Sequence, residues 1–353
     1  IFFLMDLKEN PTGQYYFFLD EISFVKEWQR SVKMFMEAKN GAKTFFFLTG
    51  SSSVDLEFSG ERLPGRRGEH AKDYILMPMS FREYVSLVSP ELMVNNFQKQ
   101  SLILSKLRTK LKEYLLTGGF PSTINAYRGN KIIPQNLYDL YTSWVLGDMH
   151  NLNKSDNFLN NIISTLNKHE LSTFSYHSLA RDSGINSHLT VQEYMSLLEK
   201  MFVLFSLDAF SISEKKVSFK KNHKAYFFDP FVRSCLLSNA LGISEHGYDF
   251  AKGELNSDNF LQKAAEFLAA SKLKQENANL YYGFSGEKEI DFVTFSNNKY
   301  AYFEVKYANK ISVSDFSFFQ KSFPDKKLTV ITKNDYFSSK NLNFIPLELF
   351  LLN

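Results

Sequence analysis

Two groups of charged residues in this sequence have types and spacings that could do chemistry. The first is Asp20-Glu21, which directly follows the apolar run 16–19 (YFFL). Because a buried parallel strand delivers the residues after it to the carboxyl edge of its sheet, we expect both carboxylates at a ligand-binding edge. There the first acid could hold Mg²⁺ and the second could polarise an attacking water. A strand that runs into a solvated turn is the alternative interpretation.

The second group is Asp291, followed after twelve residues by Glu304-x-Lys306. Two carboxylates on adjacent strands could hold Mg²⁺, and Lys306, two residues beyond Glu304, could orient or deprotonate a water. This D…E-x-K spacing is typical of restriction-endonuclease-like nucleases. Glu266, in the helix predicted before these strands, is a further candidate carboxylate, and Glu254 and Asp258 remain open for the same position. A strand with alternating exposed charges and no catalytic role is the alternative.

The elements around the first group alternate between strand and helix patterns. Apolar spacing over 25–35 is helical, and 44–48 is a second apolar strand that ends in hydroxyl residues at 49–53. A strand–helix–strand of this kind is by default a parallel crossover. The following turn, 63–69, presents Arg66 and Arg67, and residues 80–83 have the capping-box spacing that begins a helix.

The middle of the chain is predicted to be helical. Residues 86–150 carry apolar positions at helical intervals, and GGFP at 118–121 ends one helix in a tight turn before the next element. Residues 175–186 and 189–199 give a helix, a turn with glycine and a second helix, which is a helix-turn-helix pattern. The strands expected at 202–207 and 215–221 would form its wing.

DNA binding by this winged helix is a hypothesis with arguments on both sides. The second helix offers Gln192 together with the acidic Glu193 and Glu199, a poor surface for a polyanion. The wing is basic, and the candidate DNA-contacting residues are Lys215, Lys216, Lys220 and Lys221. A winged helix that serves as a packing or partner module is the alternative.

Composition excludes several classes of protein. The single cysteine, Cys235, excludes an internal disulfide framework and a cysteine-based zinc site. No apolar run approaches the roughly 18 residues of a membrane span, so we expect a cytoplasmic protein with no membrane partner. The net charge of +3 permits nucleic-acid binding without arguing for it.

Several short motifs, in order, resemble one family. They are LDEI at 19–22, WQR at 28–30, LTGSS at 48–52, LPGR at 63–66, PMSFREY at 78–84, GGFP at 118–121 and GDM at 147–149. Together they are similar to archaeal and bacterial AAA-type ATPases whose carboxyl-terminal domain is restriction-endonuclease-like.

The resemblance implies a role for each motif residue and a cofactor set of ATP and Mg²⁺. Asp20 and Glu21 would be the Walker B pair, and Ser51 would lie at the sensor-1 position. Arg66 or Arg67 would be the arginine that reaches a γ-phosphate in the same or a neighbouring subunit.

The same resemblance implies an α/β protein of four parts. Residues 1–85 would be the distal half of the ATPase domain, with a partial P-loop-type parallel sheet, and 86–150 its helical lid. Residues 151–222 would be the winged helix-turn-helix and 223–353 the restriction-endonuclease-like α/β domain.

One large departure is that the pattern G-x-x-x-x-G-K-[ST], which cradles phosphates, occurs nowhere in the 353 residues. The sequence begins at Ile1 inside an apolar stretch, so we expect that the amino-terminal part of the family, with this loop, is missing. The complete protein would then bind ATP, and this chain would bind it poorly or not at all.

The sequence thus predicts an ATP-hydrolysing AAA-type switch or motor that acts on a macromolecule, with DNA as the expected one. A Mg²⁺-dependent nuclease using Asp291, Glu304 and Lys306 is the first alternative. A non-catalytic interaction or scaffold protein is the second. A homo-oligomer and a protein partner are both left open.

Overall fold

The computed structural model describes residues 15–22, 25, 27–37, 44–50, 74–93, 100–169, 172–219, 221–277 and 279–353. The predictions for Ser51, Arg66, Arg67 and Lys220 lie outside these residues. The chain divides into two compact units, one of residues 1–76 with 200–202 and one of residues 77–199 with 203–353. Each unit is a combination of helices and sheet, so the α/β class is confirmed at this level.

The first unit contains the predicted strand–helix–strand. Its elements are β1 (Tyr15–Leu19), α1 (Trp28–Glu37) and β2 (Thr44–Leu48). The two strands pair in parallel, with Leu19 opposite Leu48, as the crossover pattern predicts. The parallel pairing brings the ends of both strands to one edge.

A small apolar core holds this unit together. The rings of Phe17 and Phe46, on neighbouring strands, both meet the edge of Phe35 from α1. Trp28 and Val32 of the same helix are buried against Leu19 and Leu48. Both strands are apolar along their length, and α1 covers only the face that carries Phe17 and Phe46, while Tyr16, Phe18 and Phe47 on the other face are exposed.

The second unit begins with helices and ends with a large sheet. Its helices are α2 (Phe81–Val88), α3 (Gln100–Thr117), α4 (Pro121–Asn130), α5 (Gln135–Asn151), α6 (Asp156–Lys168), α7 (Tyr176–Asp182), α8 (His188–Lys200, whose last residue belongs to the first unit), α9 (Pro230–Ala240), α10 (Gly247–Glu254), α11 (Asp258–Glu276), α12 (Ser317–Ser322) and α13 (Leu347–Leu352). The long helices of 100–151 agree with the helical pattern predicted there. Among the described residues, none of the helices has the length and apolar character needed to cross a membrane.

The strands of the second unit form one large mixed sheet and one small sheet. They are β3 (Leu204–Leu207), β4 (Ala209–Ser211), β5 (Lys216–Ser218), β6 (Lys224–Phe227), β7 (Leu280–Ser285), β8 (Lys288–Ser296), β9 (Lys299–Lys306), β10 (Leu328–Thr332), β11 (Phe337–Ser338) and β12 (Leu342–Pro346). The large sheet has the order β11-β12-β10-β9-β8-β7-β4-β5. Its pairs β4–β7, β9–β10 and β10–β12 are parallel, and its other pairs are antiparallel.

The predicted wing has a different pairing from the one expected. The strand expected at 202–207 is β3, which pairs with β6, whereas the strand expected at 215–221 is β5, which pairs with β4. β4 in turn pairs with β7, so the β4–β5 hairpin belongs to the large sheet. The sequence missed β4, because its three residues are too short for a strand pattern. The sheet therefore crosses the predicted boundary at 222, and the other predicted boundaries stay predictions.

Gly118 and Gly119 allow Asp229 and the backbone of Met79 to approach the turn before α4 closely. Gly118 has φ +58, and a Cβ there would overlap the carboxylate of Asp229. A Cβ at Gly119 would overlap the backbone of Met79, whose N–H donates to the Gly119 carbonyl at 2.9 Å. The structural interpretation of this motif as a tight turn is confirmed.

Candidate functional site

The first candidate site is the edge of the first unit at which β1 and β2 end. Asp20 and Glu21 directly follow β1, and Thr49 directly follows β2. Backbone hydrogen bonds tie the two ends, from Thr49 N to Leu19 O at 3.0 Å and from Ile22 N to Thr49 O at 3.1 Å. The two acids predicted for this edge therefore lie there, both exposed to solvent.

The Thr49 hydroxyl joins both acidic residues to the end of the neighbouring strand. It donates a short hydrogen bond to Asp20 Oδ1 and accepts one from the Glu21 backbone N–H at 3.0 Å. Glu21 has a left-handed backbone with φ 48, so the chain turns sharply after Asp20. Carboxylate oxygens held at a sheet edge in this way are the hard ligands that Mg²⁺ prefers.

Sequence reasoning expected the segment 49–53 beside the two acids and assigned the sensor role to Ser51, without singling out Thr49. The sequence does contain a signal for it, because Thr49 is the first polar residue after an apolar strand that pairs in parallel with β1. Ser51 comes two residues later and lies outside the described residues.

The second candidate site is a cluster of acids and lysines in the second unit. Asp291 lies in β8, Glu304 and Lys306 lie in β9, and Glu266 lies in α11. The Val305 N–H donates to Asp291 Oδ2 at 2.8 Å, and the Asp291 N–H approaches Glu304 Oε2 at 3.3 Å. Lys306 Nζ is 2.7 Å from Glu304 Oε1. The structure therefore brings the four predicted residues together.

The same cluster contains charged and polar residues that the sequence analysis did not identify. Lys224 of β6 extends its ammonium group to Glu289 at 2.6 Å, to Glu266 at 3.5 Å and to Asp291 at 3.7 Å. Tyr226 donates its hydroxyl hydrogen to Glu266 Oε1 at 2.7 Å. No spacing rule could have found these residues, because β6 reaches the cluster only through the tertiary fold.

Burial and mutual repulsion keep two of the acids weak. Burial, and then the charge of Asp291, raise the pKa of both Glu266 and Glu304 to about 7. Burial alone would lower the pKa of Lys224, but the charges of Glu266, Asp291 and Glu289 outweigh it, and that pKa lies above its usual value. The cluster is therefore a strongly coupled network in which Lys224 stays charged.

Within the ranges that the structure describes, no three His, Cys, Asp or Glu residues are placed to hold a metal ion together. Of the other candidates for the helix carboxylate, Glu254 pairs with the buried Arg233 at 2.8 Å. Asp258 lies in the first turn of α11. Glu266 is the one of the three that contacts Lys224.

The predicted DNA-contacting lysines are partly engaged in contacts of their own. Lys216 pairs with Glu214 at 2.8 Å, and Lys221 lies over the ring of Phe284 at 5.2 Å. Lys215 is exposed at a turn with φ 53. On the preceding helix, Glu193 pairs with Lys154 at 2.5 Å, so its charge is compensated. DNA contact by the lysines stays a prediction.

Comparison with known proteins gives three partial family matches. An AAA domain matches residues 2–85, a domain of unknown function (DUF8612) matches 108–245, and another (DUF4143) matches 263–350. The first part of the chain is therefore similar to AAA domains of ATPases. The first candidate site lies within the AAA match, and Glu266, Asp291, Glu304 and Lys306 lie within the DUF4143 match.

Two relatives resemble most of the chain. An uncharacterized protein of Methanocaldococcus jannaschii is 26% identical over 334 residues, which cover 90% of this chain and 68% of the relative. An uncharacterized protein of Haemophilus influenzae is 26% identical over 312 residues, covering 85% of this chain and 68% of that protein. A crystal structure of a Vibrio cholerae protein covers 99% of this chain and 92% of its own at 14% identity, with a TM-score of 0.21 that carries no structural argument.

Proposed function

We propose that the complete protein is an ATP-hydrolysing AAA-type switch or motor that acts on a macromolecule. The observation that carries this proposal is the acidic pair at the end of β1, tied by Thr49 to the end of the parallel strand β2. The AAA match over residues 2–85 agrees with it.

The two acids have separate roles in this proposal. Asp20 helps to hold Mg²⁺, because its carboxylate is oriented by the Thr49 hydroxyl toward the strand edge. Glu21 polarises the attacking water, since it follows Asp20 at the same exposed edge, where its left-handed backbone ends the strand. Bound Mg²⁺ would supply charge neutralisation at the phosphates of ATP.

The remaining catalytic parts are proposals that rest on the resemblance. The donor set at the edge suits Mg²⁺, whereas the 353 residues contain no phosphate-cradling pattern. Arg66 or Arg67 would reach the γ-phosphate, and Ser51 would lie near it. An arginine supplied to a neighbouring subunit would make the active form a homo-oligomer.

The test is ATP hydrolysis by the complete protein, with and without duplex DNA, beside its Glu21→Gln variant. We expect turnover that Glu21→Gln reduces to background, because the amide cannot polarise water, while Asp20 remains available for Mg²⁺. Glu27→Gln is the matched control, since Glu27 is an exposed acid of the same unit that pairs with Arg30, three residues along its own segment, at 3.0 Å.

Different results decide between the functions. Stimulation by DNA would support a DNA-coupled motor, and stimulation by a protein partner alone would favour an interaction switch. Absence of turnover under every condition would contradict the proposal. The basic residues Lys215, Lys216 and Lys221 are the proposed DNA contacts, and their substitution should remove only the stimulation.

A Mg²⁺-dependent nuclease is the second candidate, favoured by the approach of Asp291, Glu304 and Lys306. Its restriction-endonuclease-like fold and its activity are both proposals. The ammonium group of Lys224, 3.7 Å from Asp291 Oδ1, argues against a metal there.

A further inference from the structure

We propose that the ammonium group of Lys224 is the built-in cation of the acidic cluster and excludes a divalent metal from it. The carboxylates of Glu266, Glu289 and Asp291 would then be a lysine-filled site in the folded protein, and removal of Lys224 would open it to metal. This inference is independent of ATP hydrolysis, because it concerns only residues of the second unit.

The contacts of Lys224 define the place that it fills. Its Nζ lies within 2.6–3.7 Å of three carboxylates, Glu266 from α11 and Glu289 and Asp291 from β8. Only 3% of its side chain is exposed. A divalent ion binds carboxylates at roughly 2.0–2.6 Å, so an ion shared by Glu266 and Asp291 would lie almost in contact with Nζ.

Electrostatics make the lysine and a metal mutually exclusive. A buried ammonium group is stable only with paired carboxylates around it, and Lys224 has three. An added ion of charge +2 would meet a fixed positive charge at short range with little water between them. The carboxylates can neutralise the charge of one of the two cations. Because Lys224 is part of the chain, its ammonium group is the cation that stays.

The surrounding strand keeps Lys224 in place. β6 pairs with β3 through the residue of Lys224 itself, which lies opposite Leu207. Two residues later Tyr226 donates to the same oxygen of Glu266 that Lys224 approaches. Because both contacts come from one short strand, the ammonium group cannot leave without moving β6 or rotating a buried side chain.

Lys306, the lysine of the E-x-K motif, differs from Lys224 in its surroundings. It contacts Glu304 at 2.7 Å, but 47% of its side chain is exposed. Its ammonium group can therefore move into solvent, and it does not have to compete with an ion at the buried carboxylates. Lys306 provides the matched control for the charge of Lys224.

The experiment measures Mn²⁺ binding to the whole chain by the loss of the free-ion electron paramagnetic resonance signal. Wild type, Lys224→Met, Lys306→Met and Lys224→Met/Asp291→Asn are compared. We expect Lys224→Met to gain one Mn²⁺ site that binds at least about tenfold tighter than any site of wild type. The added Asp291→Asn change should remove that site, and Lys306→Met should not create it.

If Lys224→Met fails to fold, the test is Mn²⁺ binding to wild type and to Asp291→Asn in the wild-type background. If wild type binds Mn²⁺ and Asp291→Asn abolishes that binding, Lys224 does not exclude metal and the proposal is overturned. The proposal is also overturned if folded Lys224→Met, checked by circular dichroism, gains no site. Because the readout is binding alone, failure here leaves the ATPase proposal untouched, and the absence of ATP turnover leaves this one untouched.

Discussion

Asp229 joins three segments of the second unit that lie far apart in the sequence. One carboxylate oxygen accepts the N–H groups of Phe231 and Val232 at 2.8 and 3.1 Å, capping α9. The other accepts the N–H of Gly119 at 2.7 Å. Gly119 in turn accepts the N–H of Met79. One buried side chain therefore ties the turn before α4 to the beginning of α9.

Stability should respond to pH through this carboxyl group. Burial raises the pKa of Asp229 to about 6, although three backbone N–H groups favour the ionised form. Between pH 4 and 6 the folded protein then binds more protons than the unfolded chain, so the free energy of unfolding falls as pH rises. Two pKa units correspond to about 3 kcal/mol. Urea unfolding at pH 4, 5, 6 and 7 measures this slope.

Asp229→Asn should reduce that slope by the contribution of this one carboxyl group and lower stability throughout, while Glu266 and Glu304, whose pKa values burial also raises, keep the remaining slope. Asparagine keeps one acceptor for the cap of α9, but its NH₂ group faces the Gly119 N–H, which loses a partner at a cost of about 1–3 kcal/mol. Asp139→Asn, at an exposed acid of α5, is the control and should change neither quantity. An unchanged slope in Asp229→Asn would show that Asp229 does not contribute to it and that Glu266 and Glu304 account for the whole dependence.

At the same scale, the sequence predicts acids better than it predicts their partners. Asp20, Asp291 and Glu304 stand at the ends of apolar runs or in a spaced pattern, so their placement follows from local rules. Lys224 has no such pattern, because its partners lie 42–67 residues away on α11 and β8. The tertiary fold alone brings that charge to the cluster.

At the scale of elements, the sequence predicts individual strands better than it predicts which strands pair. β1, α1 and β2 form as predicted, because a short parallel crossover is determined by adjacent apolar runs. β5 was expected to pair with β3 in a wing. It pairs instead with β4, which joins the large sheet through its pairing with β7. The partner of a short strand depends on its neighbours in the sheet, and a local sequence pattern carries no information about those neighbours.

The ends of β1 and β2 act as one catalytic element if Thr49 orients Asp20. Thr49→Val removes the hydroxyl with little change of shape, so Asp20 loses a hydrogen-bond donor and the Glu21 N–H loses an acceptor. We expect ATP turnover by the complete protein to fall about 10–100-fold, the usual effect of losing a group that orients a metal ligand. Steady-state turnover against Mg²⁺ concentration measures this effect.

Thr49→Ser is the matched control, because it keeps the hydroxyl and should retain most of the activity. A higher Mg²⁺ requirement in Thr49→Val alone would point to Asp20 as the affected ligand. Equal activity of wild type and Thr49→Val would mean that the hydroxyl contributes only to the local turn.

At the scale of the whole molecule, the two units contain separate apolar cores. Residues of the second unit bury one cluster on the large sheet, including Phe210, Val330 and Phe344. They bury another among helices α3, α5 and α9, including Tyr138 and Phe231. The first unit has its own small core of Trp28, Val32 and Ile22. Separate cores are the physical basis of independent folding.

Residues 77–353 should therefore fold without residues 1–76. We expect this fragment to unfold cooperatively in urea, because both large cores and the Asp229 junction are complete within it. Asp229→Asn should destabilise the fragment by the same amount as it destabilises the whole chain, since every partner of Asp229 is present in both. A fragment that is unfolded, or that shows a much smaller effect of Asp229→Asn, would mean that the second unit depends on the first for its structure.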